Sequence, residues 1–325
     1  MTSSADSGDG SLRAAIESAN AAARPLFPEE DARSRAQRAL TIELALAADQ
    51  AIVLSRALPE IEGPGTLLDG GGATIRQAGD CRRADGRRGC DGIVVVGPGI
   101  TVRRLRIAGF LLDGVSVRGG SARDAFIEDV HAIDNRDDGI GVSAAAGPVR
   151  IERCLLMGNG FRTKGKGILV FDDSRATIRD SVAVANRDGI SVTRRAQARL
   201  EGVWIVASFD KGLGVSGGAV RGSDNRIIAN GDGAGFFERP PNADGLRVGL
   251  AGSADLTSTR IEGNGDAGVV VLDTSSVVLR GGTVRANHGR ALVRARTATV
   301  HAEGVATAVG VRRRAAPVTL PDGAR

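Results

Sequence analysis

Asn186-Arg187-Asp188-Gly189-Ile190-Ser191-Val192 is one of a series of near-copies that run through the chain. Its centre is a glycine, an aliphatic residue, and a second aliphatic two positions on. That pattern returns at Gly114-Val115 with Val117, Gly139-Ile140 with Val142, and Gly167-Ile168 with Val170. It continues at Gly212-Leu213 with Val215, Gly245-Leu246 with Val248, and Gly268-Val269 with Val271. Ala291-Leu292 closes the series with alanine in place of glycine. The intervals are 25, 28, 22, 23, 33, 23 and 23 residues, a period of 22–23 with two insertions. Apolar residues two apart are strand alternation with one face inward. A strand this short cannot bury that face alone, but stacked coils share one continuous core. Stacking sets equivalent side chains in columns about 4.8 Å apart. The pattern predicts an all-β fold, a single-stranded right-handed parallel β-helix, with coils of about 23 residues.

Composition agrees. Of 325 residues 46 are Gly, Tyr is absent, and aromatics are only 3%. Many turns need glycine, and repeated identical core positions suit Val, Ile and Leu. The net charge of +5 is compatible with an acidic partner such as a uronate polysaccharide. The arginines are scattered and do not alternate with aromatics, so no nucleic-acid platform is expected. No apolar run reaches the length of a membrane-spanning helix. Met1-Thr-Ser-Ser-Ala-Asp shows no signal-peptide core.

Two polar columns accompany the glycines. About four residues before them stand Asn135, Asn159, Asn186, Asn230, Asn264 and Asn287, with Ser208 in one coil. This is expected to be a structural asparagine ladder at a corner. Immediately before the glycines stand Asp113, Asp138, Lys166, Asp188, Lys211 and Asp244. From Asp138 onward the signs alternate, which is read as a surface ion-pair ladder between adjacent strands. Trp204 is assigned to the core and Cys154 to a buried apolar position.

Four segments are expected within one structural domain. Residues 1–23 hold an N-terminal motif and a capping α-helix. In that helix Leu12, Ala15, Ile16 and Ala19 share a face, and Asp9 or Ser11 caps the start. Residues 24–98 form irregular first coils, residues 99–311 the regular coils, and residues 312–325 a basic tail. Cys81 and Cys90 bracket a loop that closes as a disulfide in an oxidising compartment, or carries two free thiols otherwise.

The opening stretch Gly10-Ser-Leu-Arg-Ala-Ala-Ile16, followed by Ala57-Leu-Pro-Glu-Ile61 and Leu68-Asp-Gly-Gly-Gly72, resembles the CSLREA-type β-helix proteins of bacteria. The coils at 99–297 resemble pectate-lyase-like β-helix repeats. The resemblance implies a secreted or cell-envelope protein.

Insertions on a solenoid map to loops on one face, often the binding face. The insertions Gly160–Lys166 and Gly231–Ala243 fall at the same corner, three coils apart. They are expected to wall a lateral trough with Arg162, Phe236, Phe237, Glu238 and Arg239 at its rims as substrate-binding residues. Catalytic candidates inside it are Lys164, Lys166, Arg187, Asp188, Asp210 and Lys211. A lyase needs a base and a cation beside the sugar carboxylate; a glycosidase needs two carboxylates. No complete catalytic motif of either type is present. His131, His288 and His301 have no paired metal-ligand spacing, so no metal site is expected. Asp137, Asp138 and Asp266 are a weak Ca²⁺ set, and no cofactor is expected. The leading expectation is an extracellular or envelope β-helix protein that binds, and as a lyase or hydrolase cleaves, an acidic polysaccharide in the trough. The alternative is a non-catalytic surface, adhesive or scaffold protein. Oligomeric state is not legible.

Overall fold

A computed structural model describes residues 3–24, 39–47, 50–83, 85–145, 147–161, 163–231 and 243–308. The strands stack in parallel register into a solenoid of about 11 turns. One coil reads Asp188–Thr193, Gln197–Glu201 and Trp204–Val206, three short strands separated by corners. The first strand of successive coils builds a nine-stranded sheet that runs from Ile93–Val95 to Leu292–Arg294. The other two build a twenty-stranded sheet that wraps a tight corner to make two walls.

The Gly-aliphatic landmarks open the strands of the nine-stranded sheet. Ile140, Ile168, Ile190, Leu213, Leu246 and Val269 form one column, each fully buried and each in register with its neighbour. Burying such a side chain contributes about 1.5–3 kcal/mol, and the column repeats that gain in every coil. The preceding glycines serve close packing. A Cβ on Gly139 would lie 2.6 Å from the Gly167 carbonyl oxygen and 2.8 Å from Asn159 Nδ2. The stack therefore requires glycine here although φ is ordinary.

The Asn column packs against those glycines and is buried throughout. Asn159 is typical. Its Oδ1 accepts from the Asn135 backbone N–H and from Asn135 Nδ2, both at 3.0 Å. Its Nδ2 donates to the Ala132 carbonyl and to Asn186 Oδ1, both at 2.9 Å. Asn230, Asn264 and Asn287 repeat the arrangement. The ladder lapses at Ser208, whose buried Oγ has no partner.

The helix Leu12–Ala22 closes the N-terminal end. Ser11 is the cap, its Oγ accepting from the Ala14 N–H, and Leu12, Ile16 and Ala19 face the core. The opening motif holds this lid in place. Arg13 donates to the carbonyls of Ala57 at 2.6 Å and Arg56 at 2.9 Å. Asn20 donates to the Glu60 carbonyl and accepts from the Glu62 and Gly63 N–H groups. In the Leu68-Asp-Gly-Gly-Gly72 segment the buried Asp69 bonds Arg104 and Arg103, and the Arg104 contact helps hold its pKa down at about 2. Cys81 and Cys90 are joined as a disulfide. No described helix is long and apolar enough to cross a membrane.

Trp204 is not core. It sits half-exposed on the outside of the second wall, where strand alternation turns Ile205 inward instead.

Candidate functional site

The residue before each landmark glycine lies on the outer side of the nine-stranded sheet. The row begins one coil earlier than the sequence reading placed it. Asp91-Gly92-Ile93 stands 22 residues before Gly114 and belongs to the same series. The full row is Asp91, Asp113, Asp138, Lys166, Asp188, Lys211 and Asp244.

Its acids cap the next coil. Asp91 Oδ1 accepts from the Asp113 N–H at 3.1 Å, Asp113 Oδ1 from the Asp138 N–H at 3.0 Å, and Asp138 Oδ1 from the Lys166 N–H at 2.7 Å. Asp244 Oδ1 does the same for Ala267 at 3.2 Å. The alternating charges do not produce the expected chain of ion pairs. Lys211 Nζ reaches Asp188 Oδ2 at 2.7 Å and stands 3.8 Å from Asp210 Oδ2. The Lys166 ammonium turns instead to the Lys164 carbonyl. Backbone donors compete for the carboxylates and are better aligned by the stack than a flexible lysine.

The sheet beside this row has a floor of small residues. Ser116, Gly141, Ser191 and Gly214 are buried in its outward positions, with Leu169 between them. The charged row overhangs the floor. A Cβ on Gly141 would lie 2.6 Å from Asp113 Oδ2, and one on Gly214 would lie 2.7 Å from Lys211 Cε. At the N-terminal end the floor runs out into a recess of about 520 Å³ lined by Glu60, Arg83, Asp91, Val94 and Arg118 among others. There Arg118 bonds Glu60 at 2.7 Å and lies 3.5 Å from Asp91.

Burial raises the pKa of several of these acids. Asp138 is pushed up to about 7, by desolvation first; Lys166 opposes the shift and Asp137 adds to it. Asp113 is raised well above the ordinary carboxylate range by desolvation and by the charges of Asp138 and Asp91. Desolvation also raises Asp91, Asp210 and Asp244. One oxygen each of Asp188 and Asp210 is buried without a hydrogen-bond partner. A desolvated acid beside an ion-paired carboxylate is equipment for proton transfer.

Of the catalytic candidates, Asp188, Asp210 and Lys211 meet. Arg187 donates to the Thr163 carbonyl at 3.0 Å. Lys164 and Lys166 meet each other at the first insertion. That insertion packs on the coil before it: Thr163 Oγ1 donates to the Arg136 carbonyl at 2.6 Å, and Phe161 is 52% exposed. Arg162, Phe236, Phe237, Glu238 and Arg239 lie outside the described residues, as does the basic tail. Cys154 is buried, with its thiol pushed up to about 12, too protonated to be a nucleophile.

Among the described residues, Asp113, Asp137 and Asp138 form the one group with three potential ligand oxygens, within 4.8 Å of one another; Asp266 is not in it. Asp113 and Asp138 each already accept from a backbone N–H, and Asp137 Oδ1 lies 3.3 Å from Thr163 Oγ1. Two of its three carboxylates, Asp113 and Asp138, are thus already committed to the backbone.

Residues 91–239 match a family model described as right handed beta helix region. No curated protein matches the sequence. Among solved structures, a variant of the periplasmic alginate epimerase AlgG is similar at TM-score 0.60 and 15% identity, covering 82% of this chain and 73% of that one. The A-module of a mannuronan C-5 epimerase from Azotobacter vinelandii is similar at 0.57 and 18%, covering 92% and 83%. Tailspike protein 2 of an Escherichia coli O157:H7 bacteriophage is similar at 0.53 and 13%, covering 87% of this chain and 37% of that one. At these identities the likeness speaks to fold, and with the family match it gives the handedness of the coils: the chain is a right-handed parallel β-helix protein.

Proposed function

We propose that the protein binds an acidic polysaccharide along the outer face of the nine-stranded sheet and hydrolyses it there. The observation that carries this reading is Asp138: a buried acid with a pKa of about 7, beside a floor of small residues and two coils from the Lys211-paired Asp188. In this reading Asp138 protonates the glycosidic oxygen. Asp188 stands two strand spacings further along, roughly 9.6 Å, at the upper limit of the roughly 6.5–9.5 Å that leaves room for a water in an inverting glycosidase. Lys166 occupies the row between them and can meet a uronate carboxylate. Two similar folds are named as epimerases of alginate or mannuronan, polymers of the same acidic class. The reading extends to an extracellular or envelope location, where such polymers occur.

The test is incubation of the full chain with polygalacturonate and alginate, following reducing ends, ultraviolet-absorbing unsaturated products, and the anomer released. New reducing ends of inverted configuration, lost in Asp138→Asn, are expected. Unsaturated products would replace hydrolysis by elimination. Neither product, and no binding to either polymer, would leave the non-catalytic scaffold.

A further inference from the structure

On the wall built by the third strand of each coil, Trp204, Arg226, Arg260 and Thr283 occupy one register row on four neighbouring strands. Arg226 and Arg260 are direct partners, so two guanidinium-bearing residues face each other about 4.8 Å apart. Like charges directly opposite on adjacent strands are unfavourable. Several arginines of the same sheet meet acids: Arg153, Arg179, Arg199, Arg280 and Arg285 each reach a carboxylate, and in the Arg199–Arg221 register pair one member is neutralised by Glu201. Among the described residues, neither Arg226 nor Arg260 has an ion pair. Glu262, the nearest acid along the strand, is taken by Arg285 and Thr283. Asp224 at the rim is exposed and pairs with neither arginine.

The Arg226 guanidinium carbon lies over the Trp204 ring, 4.1 Å from its centre. The ring holds the guanidinium carbon in place by a cation–π contact, which uses none of its N–H donors. The two arginines border a recess of about 390 Å³ at the tight corner, whose other walls include Asn225, Ser258 and Thr283. It has room for a sugar ring, and its lining is polar: the two guanidinium groups with the Ser258 hydroxyl and Asp224 beside them.

We propose that Arg226 and Arg260 form a second, non-catalytic subsite that binds a uronate carboxylate of a polysaccharide, with Trp204 as the positioning residue for Arg226. A planar carboxylate matches the guanidinium fork and cancels the like-charge pair. The inference rests on the proposed polysaccharide reading for the class of polymer, but its residues lie on a different wall. The two can fail separately.

Trp204 is the single Trp of a chain without Tyr, so intrinsic fluorescence reports on this subsite. The experiment titrates the full chain with oligogalacturonate, with a neutral malto-oligosaccharide, and with inorganic phosphate, and repeats the first by calorimetry. A saturable fluorescence change with oligogalacturonate is expected, none with the neutral sugar, and a response to phosphate only at far higher concentration. Arg226→Gln and Arg260→Gln should each weaken the response about tenfold or more, the loss of a charge-assisted hydrogen bond. Arg260→Gln should also raise the ligand-free thermal midpoint by about 1–3 °C, because it removes the repulsion; this shows that the variant folds. No fluorescence change, or one unaltered in both variants, overturns the subsite even if calorimetry shows binding that depends on Asp138. An equal midpoint for phosphate overturns the sugar assignment. Loss of hydrolysis with the fluorescence response intact would instead overturn the acid-row reading alone.

Discussion

Two polar columns run side by side up this solenoid, and they are built to different standards. In the asparagine column, donors and acceptors of one coil meet those of the next, and the Asn159 side chain alone takes part in four hydrogen bonds. In the aspartate and lysine row, one oxygen each of Asp188 and Asp210 is orphaned, and burial raises the Asp138 pKa to about 7 and the Asp113 pKa well above its ordinary value. Stacking alone explains the first column and does not explain the second. Identical residues at one repeat spacing can satisfy one another, because an amide both donates and accepts. Carboxylates cannot, so a stacked row of them either finds backbone donors, protonates, or pairs with a lysine. All three outcomes occur here, and the cost they represent is the physical case for function.

The largest way to break the contrast is Asn159→Ala. It deletes four buried hydrogen bonds and strands the Asn135 N–H, so stability should fall by about 3–5 kcal/mol, read from urea midpoints. A loss below about 1 kcal/mol would mean the ladder is not a structural device. Next is Lys211→Met, which leaves Asp188 facing Asp210 without their cation. Because Lys211 is 20% exposed, solvent softens the loss, and about 2–3 kcal/mol is expected at pH 8. Protonation relieves the two acids, so the defect should shrink in acid.

Asp138→Asn should act in the opposite direction. The folded-state pKa of about 7 lies above the unfolded value of 3.8, so the folded chain binds the extra proton between them. Stability from this group is therefore present at low pH and falls as pH rises toward 7. The amide variant should be more stable than the parent by about 2 kcal/mol at pH 8 and indistinguishable from it at pH 4 in thermal melts. The smallest effect sharpens the other column. Ser208→Asn should fill the gap in the ladder, the new amide taking up the Asn186 N–H and the Ala183 carbonyl. A gain of about 1 kcal/mol is expected. A loss would show that Ile205, whose Cγ2 crowds the adjacent Gly189, has closed the space.

The glycines, the alternating aliphatics and the asparagines were legible in the sequence because stacking forces one residue type onto one position. The coil at Asp91-Gly92-Ile93 carried the same signal and lay hidden among the irregular first coils. Trp204 was misplaced because a lone aromatic has no column to be compared with; only the pairing of its strand shows that Ile205 takes the inner position. The charge row was visible but its chemistry was not. Alternating signs at Asp138, Lys166, Asp188 and Lys211 suggested ion pairs, whereas the backbone N–H of each next coil competes for the same oxygens. That competition is set by distances of a few tenths of an ångström, which spacing in a sequence does not encode. The trough walls expected at Arg162 and Phe236–Arg239 lie outside the described residues, while the sheet face and its acids lie within them.

The most direct measurement is a carbon-detected NMR titration of the Asp138 carboxyl in the folded chain, with Asp138→Asn to assign the signal. A midpoint near 7, shifting when oligogalacturonate is added, is the predicted result. A midpoint near the ordinary 3.8, unmoved by the sugar, would reduce the acid row to a solvated edge and remove the basis for catalysis on this face.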